Sequence, residues 1–401
     1  MSTATERRTP TTTGTDTLAL PGADGRWREI TLHAPREWQE HPQPYTSRVA
    51  FAAAHVVADP YGDNTPGAPA RVDWESTLAF RRGLFRYGFG VAEAMDTAQR
   101  GMGLNWPTSL ELIRRSTELA RAGGHLIASG AGTDHLAPGP DVTVDDVIRA
   151  YEEQCEAVEA AGSRVILMAS RALACAATGP EDYARVYGRV LSGLQQPAIL
   201  HWLGEMFDPA LEGYWGSGDH MAAMDTAVAV IADNAAKVDG IKISLLSAEK
   251  EIAMRRRLPE GVLMYTGDDF NYPDLIEGDA KGHSHALLGI FDPIAGVASR
   301  ALSHLAAGKS DAYHATFAPT VPLSRHIFKT PTRFYKTGVV FLAYLNGHQD
   351  HFTMIGGQES TRSTLHLAEI VRLANEAGLF TDPDRAAARA RTVLSARGLD
   401  A

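Results

Sequence analysis

One lysine dominates the chemistry this sequence can offer. Lys242 lies in Gly240-Ile241-Lys242-Ile243-Ser244-Leu245-Leu246, a stretch with almost no other polarity. An amine held in an apolar setting is desolvated, which lowers its pKa and leaves part of it neutral. A neutral amine adds to a carbonyl carbon, and the resulting protonated imine is an electron sink for making or breaking a neighbouring bond. The plainer reading is a lysine that reaches solvent along its stem, or one paired with a carboxylate such as Asp268.

Proton carriers are the next requirement. His201, in Ile199-Leu200-His201-Trp202, is the first candidate, because imidazole titrates near neutrality. A hydrogen-bonded core histidine is its alternative. Ser170 and Tyr265 are further candidates for catalytic hydroxyls. Asp268 and Asp269 follow Gly267, and neighbours on an extended chain face opposite ways. One of them is expected to face substrate hydroxyls, and the other to be structural. Ser284, between His283 and His285, and His55 complete the expected binding set. Convergence of these histidines with Asp269 or Glu205 would hold a divalent metal. No tight ligand spacing supports that, so no metal or other cofactor is expected and a metal is kept as the alternative.

These residues need a scaffold that gathers strand ends. Apolar runs recur at 48–54, 90–95, 125–130, 164–169, 198–203, 239–244, 262–266 and 285–290. Their continuous apolar character suits parallel strands covered on both faces. Amphipathic stretches separate them. In 143–160 the residues Val144, Val147, Ile148, Tyr151, Cys155 and Val158 form one stripe, and Thr143 with Asp146 reads as a capping box. Eight such units predict an α/β fold, a (β/α)8 TIM barrel with its active site at the C-terminal ends of the strands. An open doubly wound sheet would place a glycine-rich phosphate turn after the first strand. The segment AHVVADPYGDN (54–64) has none.

The expected organisation is an N-terminal arm over 1–45 with one strand-like stretch (Trp27 to Leu32), a barrel over 46–310, and a helical extension over 311–401. Its helices are expected near 331–346, 361–377 and 383–397. The polar segment Asn346 to Phe352 reads as an exposed loop or as a lid.

Composition narrows the partners. Lys and Arg number 38 against 48 Asp and Glu, a formal charge of −10, and no basic run is present. Nucleic acid is therefore not an expected partner. No run approaches a membrane span and no apolar leader opens the chain, so a reducing cytoplasm is the expected compartment. The two cysteines, Cys155 and Cys175, have no zinc or redox spacing.

The order and content of the runs resemble the dihydrodipicolinate synthase / N-acetylneuraminate lyase superfamily of class I aldolases, from about Arg48 to the C-terminal helices. GIKISL (240–245) resembles the strand that carries its Schiff-base lysine, and YTGDDF (265–270) its Gly-Asp turn. GDAKGHSHALLGI (278–290), IASGAGTDH (127–135) and TPTRFYKTGVVFLAYLNG (330–347) resemble other segments of it, and the whole is most similar to a dihydrodipicolinate-synthase-like branch. The resemblance implies an imine-forming lyase on a 2-oxo acid or sugar-derived carbonyl compound, assembled as a homodimer or homotetramer. Two departures stand out. Where the family carries a Gly-Thr-Thr-Gly-Glu loop for a carboxylate, this chain has Met95 to Gly101: Thr97 is retained, Asp96 would repel a carboxylate and Arg100 would attract one. The family's proton-shuttling tyrosine after the fourth strand is absent from Leu167 to Arg171. A metal-assisted aldolase or hydrolase, or a non-catalytic small-molecule-binding protein on the same barrel, stay open as alternatives.

Overall fold

The computed structural model describes residues 17–400. Residues 1–16 of the expected arm lie outside the described residues. The described part of the arm is a hairpin, β1 (Thr17–Pro21) antiparallel to β2 (Trp27–Thr31). Alternate Leu18 and Leu20 on β1 are buried. The Asn375 side chain ties the end of β2 to a C-terminal helix, donating to the Thr31 carbonyl (3.0 Å) and accepting from the His33 amide (2.8 Å). From the sequence only the second strand was legible, because the first is five residues long and ends on a proline.

The eight apolar runs are the eight barrel strands: β3 (Ala50–Ala53), β4 (Gly90–Glu93), β5 (Ile127–Ala131), β6 (Arg164–Leu167), β7 (Ala198–Leu203), β8 (Val238–Ser244), β9 (Leu263–Thr266) and β10 (His285–Leu288). Each pairs in parallel with its sequence neighbour, and β10 closes on β3. Side chains alternate across the barrel wall. Outward residues such as Leu200, Trp202, Ile241 and Ile243 join the apolar layer shared with the helices. Inward residues Phe51, Ala53, Ala92, Ala128, Ile166, Ile199, Tyr265 and Leu287 fill the interior.

The capping box forms as read. Thr143 Oγ1 accepts from the Asp146 amide (3.2 Å), the Asp146 carboxylate accepts from the Thr143 amide (2.9 Å), and the helix Val144–Ala160 follows. Cys155 is buried on its apolar face, where burial pushes the thiol up to about 12. After the barrel come the helices Ser310–Phe317, Thr320–Ile327, Tyr335–Leu345, Thr364–Glu376 and Pro383–Ala396. Among the described residues no helix is long and apolar enough to cross a membrane.

Candidate active site

Strand parity decides what faces the barrel mouth. With Ile241 and Ile243 turned outward, Lys242 and Ser244 turn inward; with Leu200 and Trp202 outward, His201 turns inward. His201 and Lys242 are direct partners between β7 and β8. The lysine stem also needs a gap in the next strand. A Cβ on Gly267 would stand 2.8 Å from Lys242 Cε, 2.5 Å from the Ile243 carbonyl and 2.4 Å from Ser244 Oγ. The absent side chain at Gly267 therefore leaves the room that the lysine stem takes.

Lys242 is only 5% exposed, and its Nζ makes no hydrogen bond among the described residues. Burial draws its ammonium below the usual lysine range, and the charges of Asp96 and Asp269 partly restore it. Asp269 is the mouth-facing member of the acidic pair. Its Oδ1 accepts from the Ile290 amide (2.9 Å), and burial raises its carboxyl to about 7 against the opposing pull of that amide and of Lys242. Asp268 is the structural member: Oδ1 accepts from the amides of Phe270 (2.8 Å) and Asn271 (3.1 Å), and Oδ2 from Asn271 Nδ2 (2.8 Å). Expected as a substrate ligand, it instead spends its oxygens on the turn after β9.

Several other expectations are corrected by geometry. Arg100 commits all five N–H groups inside the protein, to Asp134, Gln154 and the carbonyls of Ala94 and Gly130. It braces the loops after β4 and β5 and has no donor left for a carboxylate. Tyr265 faces inward but reaches the opposite end of the barrel, where its hydroxyl donates to Asp239 (2.8 Å), itself paired with Arg164 (2.6 Å). Ser284 precedes β10, so it too is at the far end, accepting from Arg255 (3.2 Å). His55 follows the end of β3 but is fully buried, with Nδ1 on Asp292 (2.8 Å) and its ring against Phe80. His201 does not titrate near neutrality, since burial first and the Lys242 charge second hold it well below its usual range. Its Nε2 lies 3.3 Å from Ser244 Oγ.

The histidines a metal would need are dispersed. His283 and His285 lie at the floor, the latter accepting from the Val49 amide, and His220 pairs with Glu205. Among the described residues no three His, Cys, Asp or Glu side chains form a metal site. The 346–352 loop packs on the first barrel helix, Trp74–Arg86, with His348 edge-on to Phe80 (5.1 Å).

Two residues the sequence reading passed over complete the mouth. Tyr335 opens a C-terminal helix, is buried, and shares a hydrogen bond with Thr97 Oγ1 (2.7 Å) while its ring stacks on Phe328 (4.4 Å). Lys336 follows it and is 6% exposed, its ammonium drawn by burial to about 8. Only their place in the Pro- and Lys-containing segment 330–347 hinted at them. Beside them a cavity of about 100 Å³ opens at the ends of β4 to β7. Asp96 lines it together with Ser170, which caps the helix Arg171–Ala176 and shares a hydrogen bond with Thr133 Oγ1 (2.6 Å).

Solved structures share this architecture. A dihydrodipicolinate synthase from Aquifex aeolicus aligns with a TM-score of 0.64 at 10% identity, over 83% of this chain and 98% of its own. The chloride-inhibited enzyme from Acinetobacter baumannii, complexed with pyruvate, gives 0.61 at 15%, over 84% and 100%. The Bacillus clausii enzyme gives 0.56 at 14%, over 88% and 99%. At such identities the likeness is one of fold. No curated protein matches the chain. Residues 18–399 match the family described as "Protein of unknown function (DUF993)", and the chain belongs to that family.

Proposed function

We propose that this protein is a class I, imine-forming lyase acting on a 2-oxo acid or a sugar-derived carbonyl compound, with Lys242 as the covalent catalyst. The observation that carries the proposal is a buried, inward-facing amine without a hydrogen-bond partner among the described residues, under the influence of two carboxylates at a barrel mouth. The shared fold adds support, since one of the similar structures holds pyruvate. Neutral Lys242 adds to the carbonyl carbon, and the carbonyl oxygen takes one proton from the amine and a second from an acid and departs as water, leaving the protonated imine. Asp269, near its titration point at neutral pH, suits this proton transfer in both directions. The hydroxyls of Thr97 and Tyr335, hydrogen-bonded to each other (2.7 Å), supply a second donor pair in place of the family's absent tyrosine. Neutral His201 turns a ring nitrogen toward Ser244 and keeps that side of Lys242 free of competing charge.

Incubation with 2-oxo acids and keto-sugars followed by borohydride should add the mass of the reduced substrate to the intact chain. Lys242→Ala should abolish the gain. Adducts that persist in Lys242→Ala, or a full panel without any adduct, would refute imine chemistry here.

A further inference from the structure

Lys336 and Arg171 are two cations that the imine chemistry does not use: Arg171 lines the cavity beside Gly101, and Lys336 touches the next residue, Met102. Among the described residues Lys336 Nζ has one neighbour within bonding range, the Met102 sulfur (3.4 Å), and sits 5.0 Å from the centre of the Tyr335 ring. A buried ammonium with only a thioether and an aromatic face is poorly satisfied. The charges that act on it are those of Asp96, Asp208 and Arg171, all three on the cavity wall. Arg171 gives its Nε to Asp208 (2.5 Å), and its two terminal nitrogens, which make no hydrogen bond among the described residues, pass 3.5 and 3.6 Å from where a side chain on Gly101 would begin. Arg100, which spacing marked for an anion, has no free donor.

We propose that Lys336 and Arg171 bind a second anionic group of the substrate, a carboxylate or a phosphate remote from the carbonyl carbon that Lys242 attacks. Only the carbonyl end of this assignment rests on the imine reading. The anionic end rests on the two cations, which meet the neighbouring residues Met102 and Gly101, and on the cavity that Arg171 lines. With Lys336 titrating near 8, the pair is charged at neutral pH. The substrate class is then a carbonyl compound with two charged or polar ends rather than a neutral sugar.

Matched probes separate the possibilities. Half-saturating concentrations for borohydride trapping should be measured for 2-oxobutyrate against 2-oxoglutarate, and for dihydroxyacetone against its phosphate. We expect the more highly charged member of one pair to saturate about tenfold lower, as a charge-assisted hydrogen bond warrants, and the favoured pair tells carboxylate from phosphate. Lys336→Met should collapse that ratio, Lys336→Arg should restore most of it, and Arg171→Gln, at a half-exposed side chain, should lower it on its own. A ratio unchanged by Lys336→Met and Arg171→Gln would overturn the assignment. Should no compound be trapped, calorimetry with glutarate and glycerol phosphate tests the pair without imine chemistry. Binding weakened about tenfold by Lys336→Met supports it, and binding that is absent or unaffected overturns it.

Discussion

A lysine and a carboxyl group in one dry barrel mouth share their protons. Below about pH 7 Asp269 is neutral and cannot take up the proton that the Lys242 amine must shed before it attacks a carbonyl. Above it the carboxylate can accept that proton, which favours neutral amine beside neutral acid. The rate of adduct formation should therefore step upward through about pH 7. In Asp269→Asn that step should vanish and the rate at pH 8 should fall about a hundredfold, the usual worth of a positioned acid–base group. Time courses of borohydride trapping between pH 5.5 and 8.5 check this, and a step that persists in the variant would remove Asp269 from the mechanism. At this scale the sequence was readable where a polar residue stood alone in an apolar strand, as with Lys242, or where parity split a pair, as with Asp268 and Asp269. It was silent where partners lie far along the chain. Nothing near Arg100 shows that Asp134 and Gln154, 34 and 54 residues away, consume its donors.

Strands were more legible than sites, because a strand covered on both faces must be apolar throughout and its run is visible without its neighbours. All eight runs became barrel strands within a few residues of their expected bounds. Which end of a strand a side chain reaches is a different matter. Tyr265 and Lys242 are register partners and both face inward, yet the tyrosine extends to Asp239 at the floor while the lysine rises to the mouth. The element that permits the rise is the bend after β9. Gly267→Ala would put a methyl group against a backbone carbonyl at 2.5 Å as well as against Lys242 Cε, so the strand end must shift. Overpacking of this kind costs roughly 1–3 kcal/mol. The variant should unfold at lower urea concentration and lose most of its adduct formation, while Gly261→Ala, at a turn with open space around it but positive φ, should cost stability without affecting the adduct. Equal adduct formation in both variants would show that the gap at residue 267 is not needed.

The whole molecule places its C-terminal helices so that Tyr335 and Lys336, nearly a hundred residues beyond Lys242, finish a site begun by the barrel. Such a contribution has no local signal, since a tyrosine and a lysine opening an amphipathic helix look like any others. The same enclosure leaves a signature in global stability. Asp269 and Glu251 are buried with carboxyls raised to about 7 and about 8, in each case chiefly by desolvation. Glu251 keeps one oxygen on Thr266 Oγ1 (2.9 Å) and the other without a partner, as suits a neutral acid. A raised folded-state value means that the folded chain retains a proton which the unfolded chain releases near pH 4, so each acid lowers stability as pH climbs toward its folded value. Buried His201 and His285 have the opposite sign, because their depressed values make the unfolded chain the better proton binder up to about pH 6.5. Lys336, drawn down to about 8, regains stability for the fold only above that pH. Between pH 6.5 and 8 the two acids together pull stability down by about 2 kcal/mol, at roughly 1.4 kcal/mol per group per pH unit, while the depressed histidines, His348 and His366 included, push it up as their unfolded forms finish deprotonating. Urea midpoints at pH 6.5 and 8 measure the net change. Glu251→Gln, which keeps the shape without the titration, should make that change more positive by about 1.5 kcal/mol, because above pH 7 Glu251 alone of the two acids still carries its proton. An identical change in Glu251→Gln would mean that this buried carboxyl is already ionised in the folded chain.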